Sequence, residues 1–117
     1  MDEQLFKRRT KKFALRVIEL TESLPKTRTA DVIGRQLLRS GTSVGANYRS
    51  ACRGKSVADV ISKLAIVEEE ADETAYWLEL LIEANIAPEN QIAELLRESD
   101  EIVAMTVASI KTLRGKL

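Results

Sequence analysis

Histidine is absent from this 117-residue chain, and cysteine appears once, as Cys52. Without histidine there is no Ser-His-Asp or Cys-His catalysis, no His-ligated zinc and no Glu-x-x-His di-iron site of helical bundles. A single thiol forms neither an intrachain disulfide nor a thiolate zinc site, and it fits a reducing, cytoplasmic setting. Aromatic residues make up only 4% of the chain, which leaves little for base stacking. No apolar run approaches the ~18–20 residues that a membrane span needs. The start, MDEQLFKRRTKK, lacks the apolar h-region of a secretory signal. Proline occurs twice and glycine five times, so helix breakers are few. A charge of one sign is missing as well, because 18 Lys plus Arg balance 18 Asp plus Glu.

What is present is a high hydrophobic fraction, 44%, beyond that of disordered chains. The length is that of one domain, residues 1–117, with a modest core. Pro25, the Gly54–Ser56 stretch and Pro88 divide the chain into four segments of helical periodicity. In the first, Phe6, Thr10, Phe13, Val17, Leu20 and Leu24 recur at steps of four and three. In the second, Ile33, Leu37, Gly41, Val44, Tyr48 and Ala51 keep one phase through the weak helix formers SGTSVGA. That phase predicts a continuous helix whose small face lets a neighbour approach closely. Ser56 with Asp59 resembles a capping box opening the third segment, where Val60, Ile61, Leu64, Val67, Ala71, Ala75, Leu78 and Ile82 form a stripe. Pro88 suits the first turn of a fourth helix carrying Ile92, Leu95, Ser99, Ile102, Thr106 and Ile110. The expected fold is all-α, an antiparallel up-down four-helix bundle. Ile66, Trp77 and Leu80 widen the third helix's apolar surface and ask for a second partner, either inside a well-wrapped bundle or across a subunit boundary. Tyr76 and Trp77 are therefore candidate anchors of self-association.

The balanced charge conceals a division. Residues 1–56 hold thirteen bases and five acids, a surplus of eight positive charges, and residues 57–117 hold the reverse. Arg8, Lys12 and Arg16 follow one another at i, i+4 on the first helix. On a continuous second helix Arg35, Arg39, Arg49 and Arg53 fall on one line. Two such stripes predict a patch that neutralises phosphates of RNA or DNA with a strong salt dependence. The competing reading is a solvated face, or arginines paired with the acidic helices.

The acidic half also suggests chemistry. Glu69, Glu70 and Glu73 spell Glu-Glu-x-x-Glu, and Glu98 with Glu101 spell Glu-x-x-Glu. Carboxylates one turn apart on facing helices hold Mg²⁺ around a phosphate, a pattern similar to that of the all-α nucleotide pyrophosphohydrolases. The last position there is Glu101 instead of Asp or Asn. The acidic line also runs on through Glu68, Asp72, Glu79 and Glu83, as a solvated stripe does. Cys52 has no base to activate it, and its role is open. HEPN-type ribonucleases, also small bundles, need an Arg-x4–6-His motif that this chain lacks.

The run Gln36-Leu37-Leu38-Arg39-Ser40-Gly41-Thr42-Ser43-Val44-Gly45-Ala46-Asn47-Tyr48-Arg49 resembles the "four helix bundle" family, which includes proteins encoded in intervening sequences of 23S ribosomal RNA genes. The likeness continues through Ser56, Asp59, Lys63-Leu64, Glu69, Glu70-Ala71, Glu73-Thr74 and Tyr76-Trp77-Leu78. It spans roughly residues 5–115 and is strongest between 35 and 82. The resemblance implies a four-helix protomer assembled as a ring, typically a homopentamer. The best understood relatives, the accessory variability determinants of diversity-generating retroelements, bind nucleic acid through a basic surface and partner a reverse transcriptase, and most other members have no assigned activity. Ser40, Ser43, Asn47, Tyr48, Glu69 and Glu73 would then belong to an assembly surface, with Glu69 and Glu73 serving Arg39 or Arg49. Two departures stand out: those relatives are strongly basic whereas this chain has a sequence pI near 6.4, and Ser50 stands where many members carry Glu. The expected protein is a non-enzymatic cytoplasmic scaffold or adaptor, without cofactor or metal, that self-associates and carries auxiliary nucleic-acid binding.

Overall fold

A computed structural model describes residues 2–117. Four helices follow in order: α1 (Glu3–Ser23), α2 (Arg28–Cys52), α3 (Val57–Glu83) and α4 (Glu89–Arg114). Local chemistry accounts for each start. The Asp2 side chain accepts from the Leu5 amide, Thr27 from Ala30 and Ser56 from Asp59, so three helices begin on side-chain caps. Asp59 adds a second bond, accepting from the Lys55 amide at 2.9 Å and from Lys63 Nζ at 3.1 Å. These contacts, the backbone one first, hold its carboxyl below the usual range. Pro88 stands at the N-cap itself, one residue ahead of its expected place in the first turn.

The third connection is made by a residue that periodicity does not single out. Asn85 takes a left-handed conformation, φ 58°. Its amide donates to Ile82 O, and the Ile86 amide donates to Leu81 O at 3.0 Å. Both bonds together form the Schellman closure of a helix end, and asparagine tolerates the left-handed site better than most residues.

The helices pack in a rod of 48 × 20 × 19 Å, with α1 against α2, α2 against α3 and α3 against α4. Among the described residues neither diagonal pair brings backbones within 8 Å, and α1 meets α4 closely at only a few points. The predicted stripes supply the core: Phe6, Phe13, Val17, Leu37, Val44, Val67, Leu78, Ile92 and Ile102 are fully buried. Leu81 and Thr74 are buried too, although they lie off the predicted α3 stripe. Tyr48 packs edge-on against Phe6, ring centroids 4.6 Å apart.

The small face of α2 meets α1. A Cβ on Gly41 would lie 2.8 Å from both Val17 methyls, and one on Gly45 would lie 3.3 Å from Thr10 Oγ1. This approach leaves no room for a side chain at position 41, and α2 runs through both glycines without a break.

Candidate nucleic-acid interface

Close approach of α1 and α2 leaves a shallow outer groove between them, about 520 Å³ in volume. Lys7, Arg8 and Lys11 from α1 and Arg49 from α2 line it. Ala14, Thr42, Gly45 and Ala46 form its floor, and Gln4 completes the lining, so no carboxylate faces in. Lys7 is held by Glu3 one turn earlier, at 3.3 Å. Among the described residues Arg8, Lys11 and Arg49 make no ion pair. The proton of the floor's one hydroxyl is already engaged, since Thr42 Oγ1 donates to Leu38 O at 2.7 Å.

The seven arginines and lysines expected to form one patch are thus dispersed. Arg8 and Arg49 come together in the groove. Lys12 is exposed on α1 outside it, and Arg53 caps the end of α2. Arg16 reaches Glu94 of α4 at 3.4 Å, and Arg35 pairs with Asp31 at 3.1 Å. Arg39 turns to α3 and donates to Glu70 and Glu73. A step of four residues overshoots a full turn by about 40°, so a line of i, i+4 cations winds around the helix and its ends face different neighbours. Lys7 and Lys11 escaped the sequence reading because it followed that line. The signal available was the phase of Ala14, which shares their face.

The residues expected at an assembly surface mostly serve the protomer. Ser40 is fully buried and accepts from Thr74 Oγ1 at 2.9 Å across the α2–α3 seam. Ser43 donates to Ser40 O, and Asn47 to Ser43 O. Tyr48 lies in the core, where burial and the neighbouring Cys52 thiol push its hydroxyl far above the ordinary tyrosine value. Glu73 accepts from Trp77 Nε1 at 2.9 Å as well as from Arg39. Trp77 and Leu80 pack partly buried against the core of the bundle. Glu69 is exposed, as are Tyr76 (54%) and Ile66 (39%).

The two carboxylate motifs stand on opposite seams. Glu98 accepts from Arg9 through both oxygens, at 2.6 and 2.9 Å, and Glu101 takes a further contact at 2.9 Å, which joins α4 to α1. These bonds raise the Arg9 guanidinium still further above its ordinary value. Glu70 and Glu73 are occupied by Arg39 between α2 and α3. The fold therefore does not bring the halves of the expected Mg²⁺ cluster together. Among the described residues no group of three or more acidic, Cys or His side chains is placed to hold a metal.

A protein-family model, 23S rRNA-intervening sequence protein, matches residues 3–108. The chain belongs to that family. A solved crystal structure is similar to this intervening-sequence family member: a protein of unknown function from the S23 ribosomal protein family of Bacteroides thetaiotaomicron. The two share 40% identity over 95% of this chain and 99% of that one, with a TM-score of 0.87. No match was found among curated proteins. Among the described residues no helix is long and apolar enough to cross a membrane.

Proposed function

We propose that this family member is a non-enzymatic, self-associating scaffold that binds the backbone of RNA or DNA along the α1–α2 groove. The observation that carries the reading is the groove's lining: four cations, no carboxylate, and a floor of small residues. A basic strip of this kind neutralises phosphates and releases their counterions, whatever the net charge of the whole chain. Scaffold rather than catalyst is supported by how the charged groups are used, since Arg9 and Arg39 hold Glu98, Glu101, Glu70 and Glu73 in structural pairs. Self-association is supported by apolar side chains left outside the bundle, among them Leu15, Ile18, Val32, Leu38, Ile66 and Tyr76. A five-membered ring and a reverse-transcriptase partner are the forms that the family resemblance suggests for it.

Filter binding against duplex and single-stranded RNA and DNA tests the reading. Affinity is expected to fall steeply between about 50 and 200 mM salt. Absence of salt-dependent binding at low ionic strength contradicts it. Native mass spectrometry at micromolar protein is expected to show oligomers, five subunits foremost, and monomer alone overturns the scaffold.

A further inference from the structure

We infer that the α1–α2 groove takes up a run of phosphodiester backbone through its phosphates alone, with the bases turned outward. This rests on the reading above and goes further in saying what part of the polymer is held, and by which side chains. The argument starts from the donors. Lys7 and Lys11 stand one turn apart on α1, ~6 Å along the axis at 1.5 Å per residue. Arg8 flanks them on the same helix, and Arg49 faces them from α2.

Ammonium and guanidinium groups neutralise phosphate oxygens without reading sequence. Reading a base edge needs fixed amides, acids or bidentate arginines in the floor, and stacking needs aromatic rings. The floor has neither. Ala14, Gly45 and Ala46 offer no polar side chain, and the Thr42 hydroxyl is turned back to its own helix. Gln4 is the one amide and lies at the groove's end. A shallow groove lined by cations and small residues suits a chain of phosphates, which has the same shape whatever bases it carries.

Four contacts set the salt dependence, Arg8, Lys11 and Arg49 as they stand and Lys7 on exchanging its Glu3 partner for phosphate. For about four neutralised phosphates the plot of log K against log salt is expected to slope near −3 to −4 on duplex DNA. Three variants locate the contact. Arg49→Gln lowers the slope by about one. Arg35→Gln, whose cation lies outside the groove, leaves slope and affinity unchanged. Ala46→Phe, at an exposed position, fills the floor without altering charge and is expected to weaken binding at least tenfold. Circular dichroism and a thermal midpoint check that each variant folds.

The binding panel uses duplex DNA, duplex RNA, poly(dT) and poly(dA). Affinities are expected to agree within about threefold between poly(dT) and poly(dA), and the duplex arms show which form of backbone the groove holds better. A tenfold preference between the homopolymers overturns the phosphate-only contact. Binding that Ala46→Phe leaves intact overturns the groove as its place. In both cases the broader nucleic-acid reading survives, whereas no binding in any arm removes that reading itself.

Discussion

At the residue scale, function and structure compete for the same charged side chains. Each arginine of the first half is assigned by its angle on the helix, and a difference of one position changes its partner. Arg8 faces the groove, whereas Arg9 turns to α4 and is held by Glu98 and Glu101. Cys52 shows the same dependence on place. It is half-buried at the bundle's end, in a cleft of about 620 Å³ that it shares with Tyr48, Leu64 and Met105. Burial raises its thiol above the ordinary 9.0, with the Tyr48 hydroxyl acting in the opposite direction. A thiol that stays protonated is a slow nucleophile. Alkylation by iodoacetamide at pH 8.5 is therefore expected to be several-fold slower than for free cysteine, and an equal or faster rate contradicts it. Because the folded chain keeps this proton, and that of Tyr48, to higher pH than the unfolded chain, stability is expected to decline as pH rises above about 9. Chemical denaturation at pH 8 and pH 10 measures the loss.

At the scale of elements, the α1–α2 contact is set by glycine. Alanine is the better helix former by ~1 kcal/mol. At position 41, however, a methyl meets Val17 at 2.8 Å in a filled core. Overpacking of this kind costs about 1–3 kcal/mol. Gly41→Ala is expected to lower stability in urea melts despite its propensity gain. Adding Val17→Ala makes room, so a double-mutant cycle should return a favourable coupling. Additive losses contradict the close-approach account.

Much of this level was legible in the sequence. The phase from Ile33 to Tyr48 ran unbroken through Gly41 and Gly45, and the Ser56 cap and the Pro25 break fell where spacing placed them. What periodicity could not show was the partner of each face. Ser40 looked suited to hydrogen bonding between closely packed helices, and the helix it meets is α3 of its own protomer, where it accepts from Thr74. Trp77 widened the α3 stripe as a partly buried ring packed against the core, with its indole N–H satisfied by Glu73 one turn earlier. Asn85 carried no periodic signal, since a left-handed cap depends on backbone angle and not on apolar phase.

At the scale of the whole molecule, a neutral sum is built from opposed halves. Part of the opposition is consumed at the α1–α4 and α2–α3 seams, and the remainder is displayed as a basic groove on one side and acidic positions such as Glu79 and Glu83 on the other. The candidate site was legible only in part for this reason. Composition revealed the surplus of cations, but which of them remained unpaired was decided by the packing of four helices. The seam between α1 and α4 is where charge takes over most fully from apolar packing. Arg9 and Glu98 are 27% and 19% exposed, so water screens them little. Replacing Arg9 with Leu strands Glu98 and is expected to cost about 1–2 kcal/mol in urea denaturation. A loss below 0.3 kcal/mol would show the pair to be dispensable.

The seam is flanked by a cleft at each end, one beside Cys52 and Met105 and the other beside Leu20 and Leu95. Its two fasteners differ in kind: Arg9 is sheltered and doubly bonded, whereas Arg16 reaches a Glu94 that is 75% exposed, at 3.4 Å. Added salt weakens exposed pairs first. The seam thus resembles a zipper with one sewn end and one loose end, and added salt is expected to loosen the end held by Arg16 first. The α1 segment around Leu20 should exchange its amide hydrogens sooner than the segment around Phe6, while the glycine-packed side of the same helix stays shut.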